Sequence, residues 1–431
     1  MHLKLAVGAA LAASISTVSA QACSDGSAQQ LGGNWYCSAV DSIAYTNFGS
    51  SGSYDEVTQM GGGTCASKKK EFSGPLAPLD GEVSWHFRGP LHLKKFAYYT
   101  LGSGLKPDTK RSFHARRHGH GHMHRRAEEK RAVGDIVTAT INGEVVTWAN
   151  EYDGGAAPTP APGSYKGSDK DSKGSGKKGG DTRKKTPEFN AGIGKWGRQG
   201  YYDAEKGVAD GLTFLNHNGG QGSGVFDYDF GNSLSYASED GLSGAASPCV
   251  LKDNLIPDNK EIIIMSDKEC NGDSCGTVRP GTVAYHGFDG ASKLFLLELS
   301  MPLSGKTGFN MDMPAAWILN AAIPRTLQYG KAECSCWKSG CGEFDVLEIL
   351  DSGNTRAKST IHANISGGDS HFFNRPTDKP IKVAVVFNAL TSSAHIKILD
   401  DDVEFAPVID STEVTKFCIE ATLNSIFHLG S

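Results

Sequence analysis

The larger, C-terminal part of this sequence predicts an all-β sandwich of jelly-roll type, and three observations carry that prediction. From about Phe189 to Ser431 the chain is a series of short apolar runs rich in β-branched residues. Gly, Pro and Asn separate the runs, and no long stretch holds the 3.6-residue period of an amphipathic helix. About 240 residues also suffice for one sandwich. The strands read in order as Glu261–Met265, Lys293–Leu299, Ala315–Leu319, Phe344–Leu350, Ile381–Phe387 and Ala394–Leu399.

The preceding segments are less uniform. Residues 1–20 read as a secretory signal peptide: Lys4, an apolar run from Leu5 to Ile15, then the small-x-small pattern Val18-Ser19-Ala20. Residues 21–105 read as a small Cys-containing N-terminal β domain, alternating at Val83-Ser84-Trp85-His86-Phe87 and turning at Gly-Pro pairs. Residues 106–131 form a basic, His-rich insertion expected to be disordered. Residues 132–152 predict a short hairpin, Ile136–Ile141 turning at Asn142-Gly143 into Glu144–Trp148. Residues 153–188 are a linker of Gly, Ser, Lys and Pro with nothing to bury. Residues 189–431 are the expected catalytic domain. The last five residues carry no apolar tail of the lipid-anchor kind. The expectation is therefore a secreted, extracellular protein without a membrane anchor.

A net charge of −5 gives no reason to expect a polyanionic partner, and no nucleic acid is expected. Export makes the ten cysteines disulfide candidates. Three (Cys23, Cys37, Cys65) precede the linker and seven follow it (Cys249, Cys270, Cys275, Cys334, Cys336, Cys341, Cys418). Both counts are odd, so full oxidation within the chain requires at least one bond between the halves. Cys334-Ser335-Cys336 with Cys341 does not match a common zinc spacing, and these residues are expected to brace the strand that follows. No metal or other cofactor is expected.

The stretch that carries chemistry is Glu343-Phe344-Asp345-Val346-Leu347-Glu348. Residues two apart on a strand share a face, so Glu343 and Asp345 point together, whereas Glu348 on a regular strand points the other way. One extra residue, a β-bulge between Asp345 and Glu348, returns it to their face. The glutamates then sit about 13 Å apart along the backbone, and their side chains can lean together across a sugar. One carboxylate attacks the anomeric carbon; the other protonates the leaving oxygen and later activates water. Asp345 between them is expected to hold a proton or hydrogen bond that tunes the nucleophile.

This motif resembles the Glu-x-Asp-x-x-Glu signature of family 16 glycoside hydrolases, the laminarinase branch of a concanavalin-like jelly-roll clan. Leu296–Pro302 and Met313-Pro314-Ala315-Ala316-Trp317-Ile318-Leu319 resemble elements that precede it in that family, with Met313 in place of a usual Trp. The whole chain resembles the fungal cell-wall family of probable circularly permuted endo-1,3-β-glucanases. The resemblance rests on Ser73-Gly74-Pro75-Leu76, His86-Phe87-Arg88-Gly89-Pro90 and the later Cys-Ser-Cys-Trp and Cys-Gly-Glu elements. It implies Glu343 as nucleophile, Asp345 as its assistant, Glu348 as acid/base and β-1,3-glucan as substrate. A permuted sandwich must also dock its displaced closing strand, and Leu91–Tyr99 is the candidate.

Trp317 and Trp337 flank the motif and are candidates for stacking on glucose, with Trp317 equally readable as core. Trp196, Tyr201 and Tyr202 are candidates for outer subsites. Asn364-Ile365-Ser366 is a glycosylation sequon. The His-rich tract from His114 to His124 reads as an insertion rather than a copper or zinc site, with Lys130-Arg131 as a dibasic processing candidate. The function expected is a retaining endo-1,3-β-glucanase of cell-wall biogenesis. A transglycosylase using the same carboxylates, and a non-catalytic glucan-binding wall protein, are the alternatives.

Overall fold

The computed structural model describes residues 23, 28–102, 136–141, 144–149, 194–418, 421 and 423–430. The expected signal peptide, the basic tract and the expected linker lie outside them. So does the Asn142-Gly143 turn, although the strands it joins pair antiparallel as expected, Ile141 opposite Glu144.

Two large sheets face each other across one apolar core. The first orders its strands as Val208–Asp210, Lys195–Asp203, His92–Leu101, Lys293–Ser300, Ile381–Asn388, Ser393–Leu399, Ser42–Thr46 and Asn424–His428. The second runs from Gly244–Ala245 through Ser235–Ala237, Leu212–Asn216, Glu261–Ser266, Val83–Arg88, Ala315–Asn320, Glu343–Glu348 and Arg356–His362 to Gly367–Gly368. Side chains alternate along each strand. Phe295 and Leu297 enter the core, while Leu294 and Leu296 pack on the outer face under the helix Ser411–Cys418. Aromatic contacts stitch the sheets together: Trp85 meets Phe295 at 5.4 Å, and Phe344 meets Tyr45 at 5.4 Å and Phe387 at 6.0 Å. The expected all-β sandwich is observed. Among the described residues no helix is long and apolar enough to cross a membrane.

The N-terminal segment contributes to both sheets. Val83–Arg88 lies between Glu261–Ser266 and Ala315–Asn320, antiparallel to each. Its alternation sends Val83, Trp85 and Phe87 into the core and leaves Ser84, His86 and Arg88 on the opposite face. His92–Leu101, the strand expected to dock back, does so between Lys195–Asp203 and Lys293–Ser300. Between Ser42–Thr46 and these strands rises a long ribbon, Ser50–Gly61 paired with Thr64–Gly74. It folds back over the second sheet, where Tyr54 joins Trp317 and Leu319, and Val57 and Met60 join Phe230 and Leu327.

Four disulfides form among the described residues: Cys23–Cys37, Cys65–Cys334, Cys270–Cys275 and Cys336–Cys341. The second joins the two halves, as expected from the odd counts, and pins the ribbon's return strand, while Cys249 and Cys418 remain free thiols rather than the disulfide partners expected. Cys65–Cys334 closes a loop of 269 residues, long enough for a large loss of denatured-state freedom. Peptide mapping without reductant should therefore recover Cys65 linked to Cys334, and Cys336 linked to Cys341. Replacing both Cys65 and Cys334 by Ser should lower unfolding stability by about 2–4 kcal/mol in denaturant titration; no loss would show that strand pairing alone holds the halves together.

Candidate active site

Glu343–Glu348 contains the expected irregularity. Asp345 pairs with Thr360 but Glu348 pairs with Lys358, so three steps on this strand match two on its neighbour. On the other side Asp345 faces Trp317 and Leu347 faces Ala316, again with one residue in excess. Phe344, Val346 and Leu347 are fully buried in the sandwich core. Glu343, Asp345 and Glu348 consequently share the outer face of the sheet. Gly342 leads in at a φ of 111°, where any side chain is strained and a Cβ would lie 2.8 Å from Leu79. The Cys336–Cys341 disulfide, spanning five residues, fixes the turn just before it.

Each carboxylate has its own partner. Trp337, in the turn Trp337–Ser339, donates from Nε1 to Glu343 Oε2 at 2.5 Å. His362, directly across the sheet from Glu343, sets Nε2 3.2 Å from Asp345 Oδ2. Arg88 sets Nη2 3.4 Å from Glu348 Oε1 and anchors itself by donating from Nε to the Met313 carbonyl. Burial and the charge of Asp345 push the carboxyls of both Glu343 and Glu348 above the usual range; His362 pulls against this at both, and Arg88 at Glu348. Burial opposes charge on His362, but Asp345, Glu343 and Glu348 together outweigh it and push the imidazole up to about 9. All three carboxylates thus act on one imidazolium. Glu343, Asp345 and His362 also bring one ligand atom each within 4.8 Å of one another.

Trp317 stands opposite Asp345, only 4% exposed, with His86 stacked on it at 5.2 Å and the Arg88 guanidinium 5.7 Å from its ring. Beyond His86 lies Glu261, which accepts from Gln328 Nε2 at 2.8 Å and from the Tyr329 hydroxyl at 2.7 Å and pairs with His86 Nδ1 at 2.7 Å. Trp196, Tyr201 and Tyr202 do not reach this face, which corrects their reading as outer subsites: they belong to Lys195–Asp203 in the other sheet. Trp196 packs beneath the helix Ser411–Cys418, Tyr201 takes the Arg198 guanidinium at 3.8 Å, and Tyr202 is buried in the core. Asn364 is exposed, its Oδ1 3.1 Å from the Ser50 hydroxyl. Sequence reasoning missed His362, Arg88 and Glu261. His86 and Arg88 carried a usable signal, the polar alternate positions of an otherwise apolar strand; His362 carried none without the sheet register.

The family described as cell wall protein YJL171C/Tos1 matches through its C-terminal model over residues 194–417 and its N-terminal model over residues 41–101. The chain belongs to the Tos1 cell wall protein family. Proteins named probable circularly permuted 1,3-beta-glucanase are similar to it along most of their length. One from Arthroderma benhamiae is 49% identical over 449 residues, covering 100% of both chains. The TOS1 proteins of Saccharomyces cerevisiae and Candida albicans are 40% and 38% identical, covering 86% and 90% of this chain and 88% and 93% of their own. No solved structure matches the chain. Both Tos1 matches contribute to the site: Arg88 comes from the N-terminal one and the three carboxylates from the C-terminal one.

The charge balance of the site can be read directly. The His362 ring should titrate near 9 in proton NMR, against about 6.5 for a free imidazole. Asp345→Asn removes its nearest anion, so the titration should then fall by at least about one unit; an unchanged titration would mean that Asp345 is not its partner.

Proposed function

We propose that this protein is a secreted, cell-wall glycoside hydrolase that cleaves internal β-1,3-glucosidic bonds of glucan with retention of configuration. One observation carries the chemistry: a bulged strand presents Glu343, Asp345 and Glu348 on a single face around His362. The glucan substrate and the wall location rest on the names of the relatives and of the Tos1 family.

In this reading Glu343 is the nucleophile. Its carboxylate attacks the anomeric carbon as Glu348 protonates the departing oxygen, leaving a glycosyl ester. Glu348, now ionised, takes a proton from water, and the hydroxide oxygen displaces Glu343 from the opposite face. Two inversions restore the original configuration. Trp337 holds the oxygen of Glu343 that it bonds, and the Asp345–His362 pair fixes a compensating charge beside it. The raised proton affinity of the carboxyls suits a site that must hold one proton and one charge together. Trp337, partly exposed beside Glu343, is the ring proposed to rest against a glucose face, whereas Trp317, 4% exposed and covered by His86, packs as core, which corrects its reading as a stacking residue. Asn364, exposed, is the proposed glycan site.

A second reading follows from the ribbon Ser50–Gly74, which lies over the Glu343 end of the sheet. Shielding the glycosyl ester from water favours its transfer to another glucan chain. Incubation with laminarin separates the outcomes. Shorter products support hydrolysis, longer products transfer, and no change in a folded protein would reject both and leave a wall-binding role. Glu343→Gln should abolish turnover. Glu348→Gln should lower kcat by about 10²–10⁴, as expected for loss of general acid–base catalysis. The alkaline limb of the rate profile reports Glu348 as acid. Arg88 favours its ionised form, so Arg88→Met should raise its proton affinity and move that limb to higher pH; a shift to lower pH would contradict the assignment.

A further inference from the structure

The Glu261 cluster is set three strands, roughly 14 Å, along the same face from Glu343–Glu348, and the steps proposed above do not use it. Its carboxylate is 15% exposed and offers about four lone-pair sites, of which His86, Gln328 and Tyr329 occupy three. Burial opposes its charge, yet the His86 bond and the Tyr329 and His217 neighbours hold the carboxyl down at about 2. It stays an acceptor at any working pH. Two more groups around it have unspent capacity. Gln328 Oε1 is buried with no hydrogen-bond partner. His217 meets the Tyr329 ring at 5.9 Å, and burial pushes its imidazole down to about 4, so it is neutral and able to donate or accept.

A buried carbonyl without a partner costs stability, and such groups are otherwise rare. A sugar suits this mixture of acceptors and a neutral imidazole, because each hydroxyl both donates and accepts. A charged ligand does not: an anion would meet Glu261, and a cation would compete with His86 for the same lone pairs.

We propose that Glu261, Gln328 and His217 form a subsite for a neutral glucosyl unit of the chain being cleaved, holding it by its hydroxyls some 14 Å from the reacting bond. This rests on the glucan reading and names the grip that makes the enzyme act on long chains. Tyr329 and His86 position the carboxylate, and Arg88 stands between this subsite and Glu348.

The test uses full-length protein carrying Glu343→Gln, so that binding is read without turnover. Linear β-1,3-linked hexasaccharide and disaccharide are titrated calorimetrically into this protein and into versions that add Gln328→Met or Glu261→Gln. Each addition should weaken hexasaccharide binding about tenfold and leave disaccharide binding unchanged. Gln328→Met keeps the volume and removes the unpartnered carbonyl together with the Nε2 donor to Glu261, while Glu261 keeps its His86 and Tyr329 bonds, so thermal unfolding should show it folded even where Glu261→Gln is not. Hexasaccharide bound equally by all three proteins would overturn the subsite and leave the glucan reading intact. Hexasaccharide bound by none, the Glu343→Gln protein included, would overturn the glucan reading itself. An unfolding temperature raised by Gln328→Met with unaltered affinity would identify the cluster as packing only and reject the subsite.

Discussion

The site depends on a single surplus residue. A strand that alternated strictly from Glu343 would bury Glu348 as an unpaired charge in a core of Phe, Leu and Val side chains, at a cost of several kcal/mol. The bulge at Val346 and Leu347 avoids this by sending two successive apolar side chains inward. Their burial, with that of Phe344, holds the kink in place. The same core contacts that stabilise the sandwich therefore also aim the carboxylates, and overpacking or emptying that patch disturbs both.

Electrostatics follows from this geometry. Three carboxylates on one face repel, and burial makes Glu343 and Glu348 reluctant to ionise. Two cations offset that repulsion from opposite sides: His362 across the neighbouring strand, and Arg88 from the strand two positions away. Arg88 reaches the site because a segment from the front of the chain fills the centre of the sheet. Continuity between Val83–Arg88 and the later strands is spatial rather than sequential, and Cys65–Cys334 ties the arrangement covalently. A chain cut into its N- and C-terminal parts has half of its charge-balancing apparatus on each piece.

Much of this was legible in the sequence. The period of two placed Glu343 and Asp345 together and required the bulge for Glu348, because strand geometry leaves no other route to a common face. Odd cysteine counts on the two sides of the linker pointed to a cross-link on the condition that every thiol is oxidised; Cys65–Cys334 forms although Cys249 and Cys418 stay free. What local sequence does not show is sheet order. Val83–Arg88 reads as a strand wherever it sits, so its place between Glu261–Ser266 and Ala315–Asn320, and with it the roles of His86 and Arg88, appears only in the folded molecule. Lys195–Asp203 shows the converse. Its aromatics looked suited to stacking on sugars, but aromatic residues equally suit the two buried faces of a strand covered by a helix, and here Trp196 and Tyr201 pack on the helix side and Tyr202 in the core.

The most direct test of the central claim is to trap the proposed covalent intermediate. A 2-fluoro-substituted β-1,3-glucosyl donor with a reactive leaving group slows release of the glycosyl ester, and peptide mass mapping then locates it. The account predicts one adduct, on the Glu343 side chain, absent when Glu348 is intact and Glu343 is Gln. An adduct on Glu348 or Asp345, or turnover of the donor with inverted configuration and no adduct, would contradict it.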